Sequence, residues 1–120
     1  MTETRPDENL LGEARELILV SADATGAPQE TPLPFVYDDG VVYLLAHSAA
    51  DWYQNVQRDQ GVVLRVERRG FRGRARPPNA KQRPQASAQI TALFKRKYGA
   101  AVLKDWPLQA QRPVTIDIQF

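Results

Sequence analysis

The sequence predicts a mainly β domain in which six short antiparallel strands close into a small barrel, with two helices packed against it. Three observations carry this. Apolar and polar residues alternate with period two in several short runs, most cleanly where Val114, Ile116, Ile118 and Phe120 alternate with Thr115, Asp117 and Gln119. Turn residues such as Asp39-Gly40 separate the runs at short intervals, so neighbouring strands join as hairpins. Only two longer stretches have helical periodicity, too few to supply the crossovers a parallel sheet needs.

Residues 1–10 carry no pattern and are expected to be flexible. From Asn9 to Leu17 the reading is ambiguous, because Leu10, Leu11, Ala14 and Leu17 fall at helical spacing just before strand character begins. The first strand is expected over 17–22, and Asp23-Ala24-Thr25-Gly26 turns it into a second over 29–37. Pro32 and Pro34 lack the N–H that a ladder needs, so part of this second strand should be an edge, a bulge or a bend. Asp38-Asp39-Gly40 then makes a tight hairpin into a buried strand over 41–47.

Ser48 reads as a helix N-cap, with Asp51 three residues on in a near capping box. The helix over 49–58 places Trp52, Tyr53 and Val56 on one side and Asn55 beside Trp52. Strands follow over 62–68 and 71–76 with a turn at Arg69-Gly70, and Pro77-Pro78-Asn79 stops the second. Pro84 suits the first turn of a helix over 84–98, whose stripe of Ala86, Ile90, Leu93, Phe94 and Lys97/Tyr98 runs to a stop at Gly99. A short helix from Ala100 to Trp106 and a closing strand over 113–119 complete the chain.

Composition narrows the chemistry. The 120 residues fit one domain, 1–120, and 42% hydrophobic with 25% charged residues is ordinary for a globule. A net charge of +2 does not demand nucleic acid, and none is expected as a partner. With no cysteine there is no disulfide, thiolate nucleophile or Cys-ligated zinc, and the single His47 cannot build a multi-histidine metal centre. No metal site is expected. No apolar run approaches the roughly 20 residues of a membrane span, and Met1 to Leu10 lack a signal-peptide core, so a cytoplasmic protein without an integral membrane segment is expected.

Three constellations carry possible function. Asp51-Trp52-Tyr53-Gln54-Asn55 starts a helix directly after a buried strand, where free amides and the dipole favour an anionic or carbonyl-rich ligand. Trp52 would stack on a planar ring and Asn55 would fix a polar edge; the alternative is that Trp52 and Tyr53 simply pack the helix onto the sheet. Arg72, Arg74 and Arg76 share one strand face about 7 Å apart, suited to bridging a phosphate or, more plainly, to facing solvent. His47 would serve as a general acid or hydrogen-bond donor, or be merely accommodated at a strand end.

Taken together, the run Thr31-Pro32-Leu33-Pro34-Phe35-Val36-Tyr37-Asp38-Asp39-Gly40 into Val41-Val42-Tyr43-Leu44-Leu45-Ala46, then Asp51-Trp52-Tyr53-Gln54-Asn55, Val62-Val63-Leu64-Arg65-Val66 and Phe71-Arg72-Gly73-Arg74-Ala75-Arg76, resembles the deazaflavin-dependent nitroreductase family. That family belongs to the pyridoxamine 5′-phosphate oxidase-like, FMN-binding split β-barrels. Phe94-Lys95-Arg96-Lys97-Tyr98-Gly99 and Pro113-Val114-Thr115-Ile116 resemble the family's ending, and the likeness spans roughly residues 17–120. The resemblance implies a deazaflavin (coenzyme F-420) or FMN, and hydride transfer to a quinone, nitro or enone acceptor. It also implies that Thr31, Pro32, Leu33, Ala46, His47 and Ser48 border the cofactor ring, that Trp52 and Asn55 lie on the helix closing over it, and that the chain is a homodimer. Catalytic residues are not identified.

One departure stands out. The family's basic turn, which grips the cofactor's phosphate, is matched here by Ser21-Ala22-Asp23-Ala24-Thr25-Gly26, with no cation and one added carboxylate. Gln29 or Glu30 stands where a further Arg is common. Two other readings therefore stay open beside the oxidoreductase: a cofactor-free barrel binding an apolar or acyl ligand in the same groove, and a barrel used for self-association or protein contacts.

Overall fold

The computed structural model describes residues 6–77, 81–99 and 111–119. Among them one antiparallel sheet of seven strands forms, with three helices. In chain order these are α1 (Pro6–Glu13), β1 (Leu17–Ala22), β2 (Pro28–Leu33), β3 (Val36–Asp38), β4 (Val41–His47), α2 (Asp51–Arg58), β5 (Gly61–Val66), β6 (Arg69–Arg76), α3 (Arg83–Tyr98) and β7 (Gln111–Gln119). The order across the sheet is β2-β1-β5-β6-β7-β4-β3. Its two edges, β2 and β3, are consecutive in sequence and joined only by Pro34 and Phe35, so the sheet curls and brings the end of β2 to the start of β3. The expected antiparallel barrel is what forms.

Seven strands replace six because the strand expected over 29–37 breaks at Pro34-Phe35. Its first half pairs with β1 (Leu19 opposite Thr31) and its second with β4 (Tyr37 opposite Val42). Residues Pro6–Glu13 are helical, and Leu11 of that helix is fully buried, so the ambiguous N-terminal stretch resolves toward helix before β1 begins. The short helix expected from Ala100 to Trp106 lies outside the described residues.

The period-two pattern sorts side chains as expected. Leu17 and Leu19, Val42 and Leu44, Val62, Leu64 and Val66, Phe71 and Ala75, and Val114, Ile116 and Ile118 point inward into one cluster. A smaller cluster lies outside the barrel, where Ile90 and Phe94 of α3 cover Val36 and Leu45. Gly73 is the inward residue of β6 between Phe71 and Ala75; a Cβ there would sit 2.6 Å from Ile116 Cγ2, so only glycine lets β6 and β7 approach so closely.

Two local readings are corrected. Ser48 is not the N-cap: α2 starts at Asp51 with Ala50 extended before it and no side-chain cap. Ala50 N–H donates to His47 O (2.9 Å) and Ala49 N–H to His47 Nδ1 (3.1 Å), so a turn at His47 uses the amides nearest Ser48. The β5–β6 turn falls at Glu67-Arg68, not Arg69-Gly70; Gly70 pairs with Arg65, and Glu67 takes φ +55°. Keeping Val66 and Phe71 inward fixes this register. It outweighs the roughly 1–2 kcal/mol that a left-handed residue with a side chain costs. The Asp39-Gly40 hairpin is as expected, with both φ values positive. No helix among the described residues is long and apolar enough to cross a membrane.

Candidate functional site

Strand β4 delivers the chain to one end of the barrel at Ala46-His47, and α2 folds back over that end. An apolar face at helical spacing drives the packing: Trp52, Tyr53 and Val56 enter the main cluster together with Ala46, and Leu33 of β2 packs against it. Leu33, Ala46 and Trp52 thus belong to one apolar core.

Asn55 is the polar member of that buried face. Only 4% exposed, it donates from Nδ2 to Ser21 Oγ (3.1 Å) and Gln29 Oε1 (2.6 Å), and accepts at Oδ1 from Arg58 (2.7 Å). These bonds stitch α2 to β1 and β2, and the amide's capacity goes to the protein itself. Trp52, also 4% exposed, is buried in the main cluster. The accessible members of the expected set are Pro32 and His47, which are exposed, with Thr31 and Ser48 half-buried. Thr31 lies on the same face of β2 as Gln29 and Leu33; Pro32 points away from it.

Between β1 and β2 the turn closes on its own acid. Asp23 Oδ1 accepts from Thr25 Oγ1 (2.6 Å), Thr25 N–H (2.8 Å) and Ala27 N–H (3.0 Å), and Gly26 takes φ +86°. The Thr25 hydroxyl and amide hold the Asp23 carboxyl below its usual range, so the turn stays anionic at neutral pH.

The arginine stripe divides. Arg76 grips both oxygens of Asp117 (Nε–Oδ2 2.7 Å, Nη2–Oδ1 2.8 Å), whereas Arg72 and Arg74 line an open groove of about 390 Å³ on the outer face of β1, β5 and β6.

Sequence reading missed one constellation, at the break between β2 and β3. Tyr98 OH lies within hydrogen-bonding distance of Phe35 O (2.7 Å) and Arg15 O (2.8 Å) and accepts from Phe35 N–H (3.0 Å). Lys97 Nζ donates to Ala14 O (2.5 Å) and Phe35 O (3.0 Å) and sits 4.2 Å from the centre of the Phe35 ring. Burial, with a smaller push from Arg15, lowers the Lys97 pKa to about 8. The signals in the sequence are that Lys97 and Tyr98 continue the stripe of Ile90 and Phe94 and fall within the segment that resembles the family's ending.

Residues 7–116 match the family model for F420H(2)-dependent quinone reductase. No curated protein matches. Among solved structures, HutZ, the heme storage protein from Vibrio cholerae, superposes with TM-score 0.78 at 17% identity, covering 99% of this chain and 92% of that one. A putative 5-nitroimidazole antibiotic resistance protein from Bacteroides thetaiotaomicron gives 0.75 at 13%, covering 99% and 82%. An F420 reductase gives 0.71 at 17%, covering 98% and 97%. At such identities these likenesses speak for the fold.

Proposed function

Because this chain belongs to the F420H(2)-dependent quinone reductase family, we propose that it is a flavin- or deazaflavin-dependent oxidoreductase that passes hydride to a quinone, nitro or enone acceptor. The observation that carries this reading is that the match runs through β2, the end of β4 and α2, the three segments that gather the candidate residues. A deazaflavin or FMN would supply the hydride chemistry when bound. The chain's own part is to orient the ring and keep water from it. By this reading Pro32 would offer apolar surface, and Thr31, Ser48 and His47 the hydroxyl and imidazole groups, toward the edge of a flat, carbonyl-bearing ring. Leu33, Ala46, Trp52 and Asn55 would form the wall behind that rim.

The cofactor's phosphate is less well provided for, since the β1–β2 turn presents Asp23 and no cation. Deazaflavin is therefore expected to bind more weakly than about micromolar. Titrating the protein separately with deazaflavin and FMN, by fluorescence quenching, tests the reading. The reduced cofactor should then be reoxidised by a quinone faster with protein than without. His47→Gln should weaken binding while leaving the thermal midpoint in place, because His47 is exposed.

The same anionic turn favours a second reading, a cofactor-free barrel that takes an apolar or acyl ligand at this rim. Binding of neither deazaflavin nor FMN would decide for it. We also propose that the protein acts in the cytoplasm as a homodimer, in keeping with split-barrel sheets that pair across a two-fold axis. Light scattering at micromolar concentration should give twice the 13.5 kDa chain mass.

A further inference from the structure

We propose that Lys97 captures small uncharged aldehydes as imines, in the cleft between α1, β3 and the end of α3. The cleft shares no residue with the rim assigned to the flat ring, so the redox reading is not involved. Its volume of about 320 Å³ lies at the lower end of small-molecule sites. Leu93, Arg96 and Lys97 reach it from α3 at i, i+3 and i+4, the spacing that puts side chains on one helix face. Val36 and Tyr37 of β3 supply a second wall. Gly12 of α1 lines a third, and a Cβ built there would meet nothing within 4 Å. A helical glycine is less stable than an alanine, yet neither packing nor a positive φ requires one at this position. What it preserves is the open space.

The setting of the amine decides what Lys97 can do there. Nζ donates to two backbone carbonyls, Ala14 O and Phe35 O, and no carboxylate among the described residues pairs with it. Two acceptors match the two N–H groups of a neutral amine, whose lone pair is then left for a bond to carbon. The rings of Phe35 (4.2 Å) and Tyr98 (5.3 Å) favour the ammonium form, but burial, joined by repulsion from Arg15, outweighs them and brings the pKa to about 8. At pH 8 the amine is thus half neutral, against about 0.4% for an unperturbed lysine. The other charged groups lie on the rim, Arg96 of α3 and Asp38 of β3, one of each sign. Together with the apolar walls of Val36, Tyr37 and Leu93, this favours an uncharged, apolar aldehyde. The lone pair forms the C–N bond while an amine proton passes to the carbonyl oxygen, giving a carbinolamine. Loss of that hydroxyl with the remaining N–H proton as water leaves the C=N bond, with no change in oxidation state.

The probe is benzaldehyde with cyanoborohydride at pH 8 on the full chain, which reduces each imine to a stable benzylamine that peptide mass spectrometry assigns to its lysine. Lys81 and Lys95, both exposed, are references within the same chain. Lys97 should be labelled at least about tenfold faster than either, because far more of it is neutral. Its rate should saturate with benzaldehyde concentration, as binding in a cleft requires, while the references respond linearly. Gly12→Leu fills the cleft and should abolish the saturation. Its thermal midpoint should equal or exceed the parent's, because Gly12 is exposed and leucine favours a helix. Formaldehyde, small enough to pass the leucine, should label Lys97 in this variant at the parental rate. Labelling of Lys97 no faster than of Lys95, a rate linear in benzaldehyde, or saturation kept in folded Gly12→Leu would overturn the proposal. So would a loss of formaldehyde labelling in that variant, which would put the leucine's effect on the amine and not on the cleft.

Discussion

Replacing Asn55 by alanine tests whether that amide is chiefly a stitch between α2 and the sheet. The substitution removes the donor to Ser21 Oγ, and Ser21 is only 2% exposed, so its hydroxyl loses a partner without gaining water. Leaving a buried polar group unpaired costs about 1–3 kcal/mol. The 2.6 Å bond to Gln29 adds about 0.5–1.5 kcal/mol, whereas the bond from exposed Arg58 is replaced by solvent. The sum is about 2–4 kcal/mol. For a chain of this length that lowers the midpoint by about 3–5 °C per kcal/mol. Urea denaturation followed by circular dichroism measures it. A companion variant, Asn55→Leu with Ser21→Ala, removes both partners and should recover much of the loss. A loss below about 1 kcal/mol in Asn55→Ala, or no recovery in the companion, would show that the buried bonds do not hold α2 in place.

Phe94 is 2% exposed beneath α3, and Phe94→Ala should cost about 3–5 kcal/mol in the same assay. Gly73→Ala forces a methyl to 2.6 Å from Ile116 and should cost about 1–3 kcal/mol, partly recovered by Ile116→Ala. Stability should also depend on alkaline pH. Folded Lys97 loses its proton near pH 8 and the unfolded lysine near 10.5, so between these the unfolded chain holds more protons and stability rises with pH. The amine is half-exposed, so the gain should be no more than about 1 kcal/mol, and Lys97→Met should abolish it. Above pH 10 the trend reverses, because burial raises the pKa of Tyr98 and the unfolded tyrosine ionises first.

Sequence patterning located the strands because burial acts through the period-two rule, which is local: Leu17–Ala22 and Val41–His47 fall where alternation and turn residues put them. Where two local rules competed, the one backed by burial prevailed, as at Glu67, which bears a positive φ although Gly70 was nearby. Pro32 and Pro34 announced a bend, but not that its halves pair with strands on opposite sides of the sheet, a fact of closure rather than of any single segment. The candidate site was legible in part. Its segments could be named, yet the commitment of Asn55 to Ser21 and Gln29 spans 34 and 26 residues. The split within the arginine stripe turns on Asp117, 41 residues from Arg76. Neither leaves a mark in local spacing.

The contacts of Lys97 and Tyr98 with Phe35 bear on how the chain reaches this state. Both β2 and β3 are sheet margins whose outer hydrogen-bonding edges become neighbours only through the two-residue link at Pro34 and Phe35, and that link is held from 62 and 63 residues further along. During synthesis, therefore, the margins exist well before the residues that secure them. A chain paused before Lys97 lacks β7 as well, so edges of β4 and β6 stand unpaired beside those of β2 and β3. A chain with Tyr98 replaced by alanine loosens the link that holds the last two, leaving edges of the kind that recruit other chains. Such a variant should be recovered largely as aggregate from cells even where the purified remainder folds, so the end of α3 would limit yield whatever the ligand.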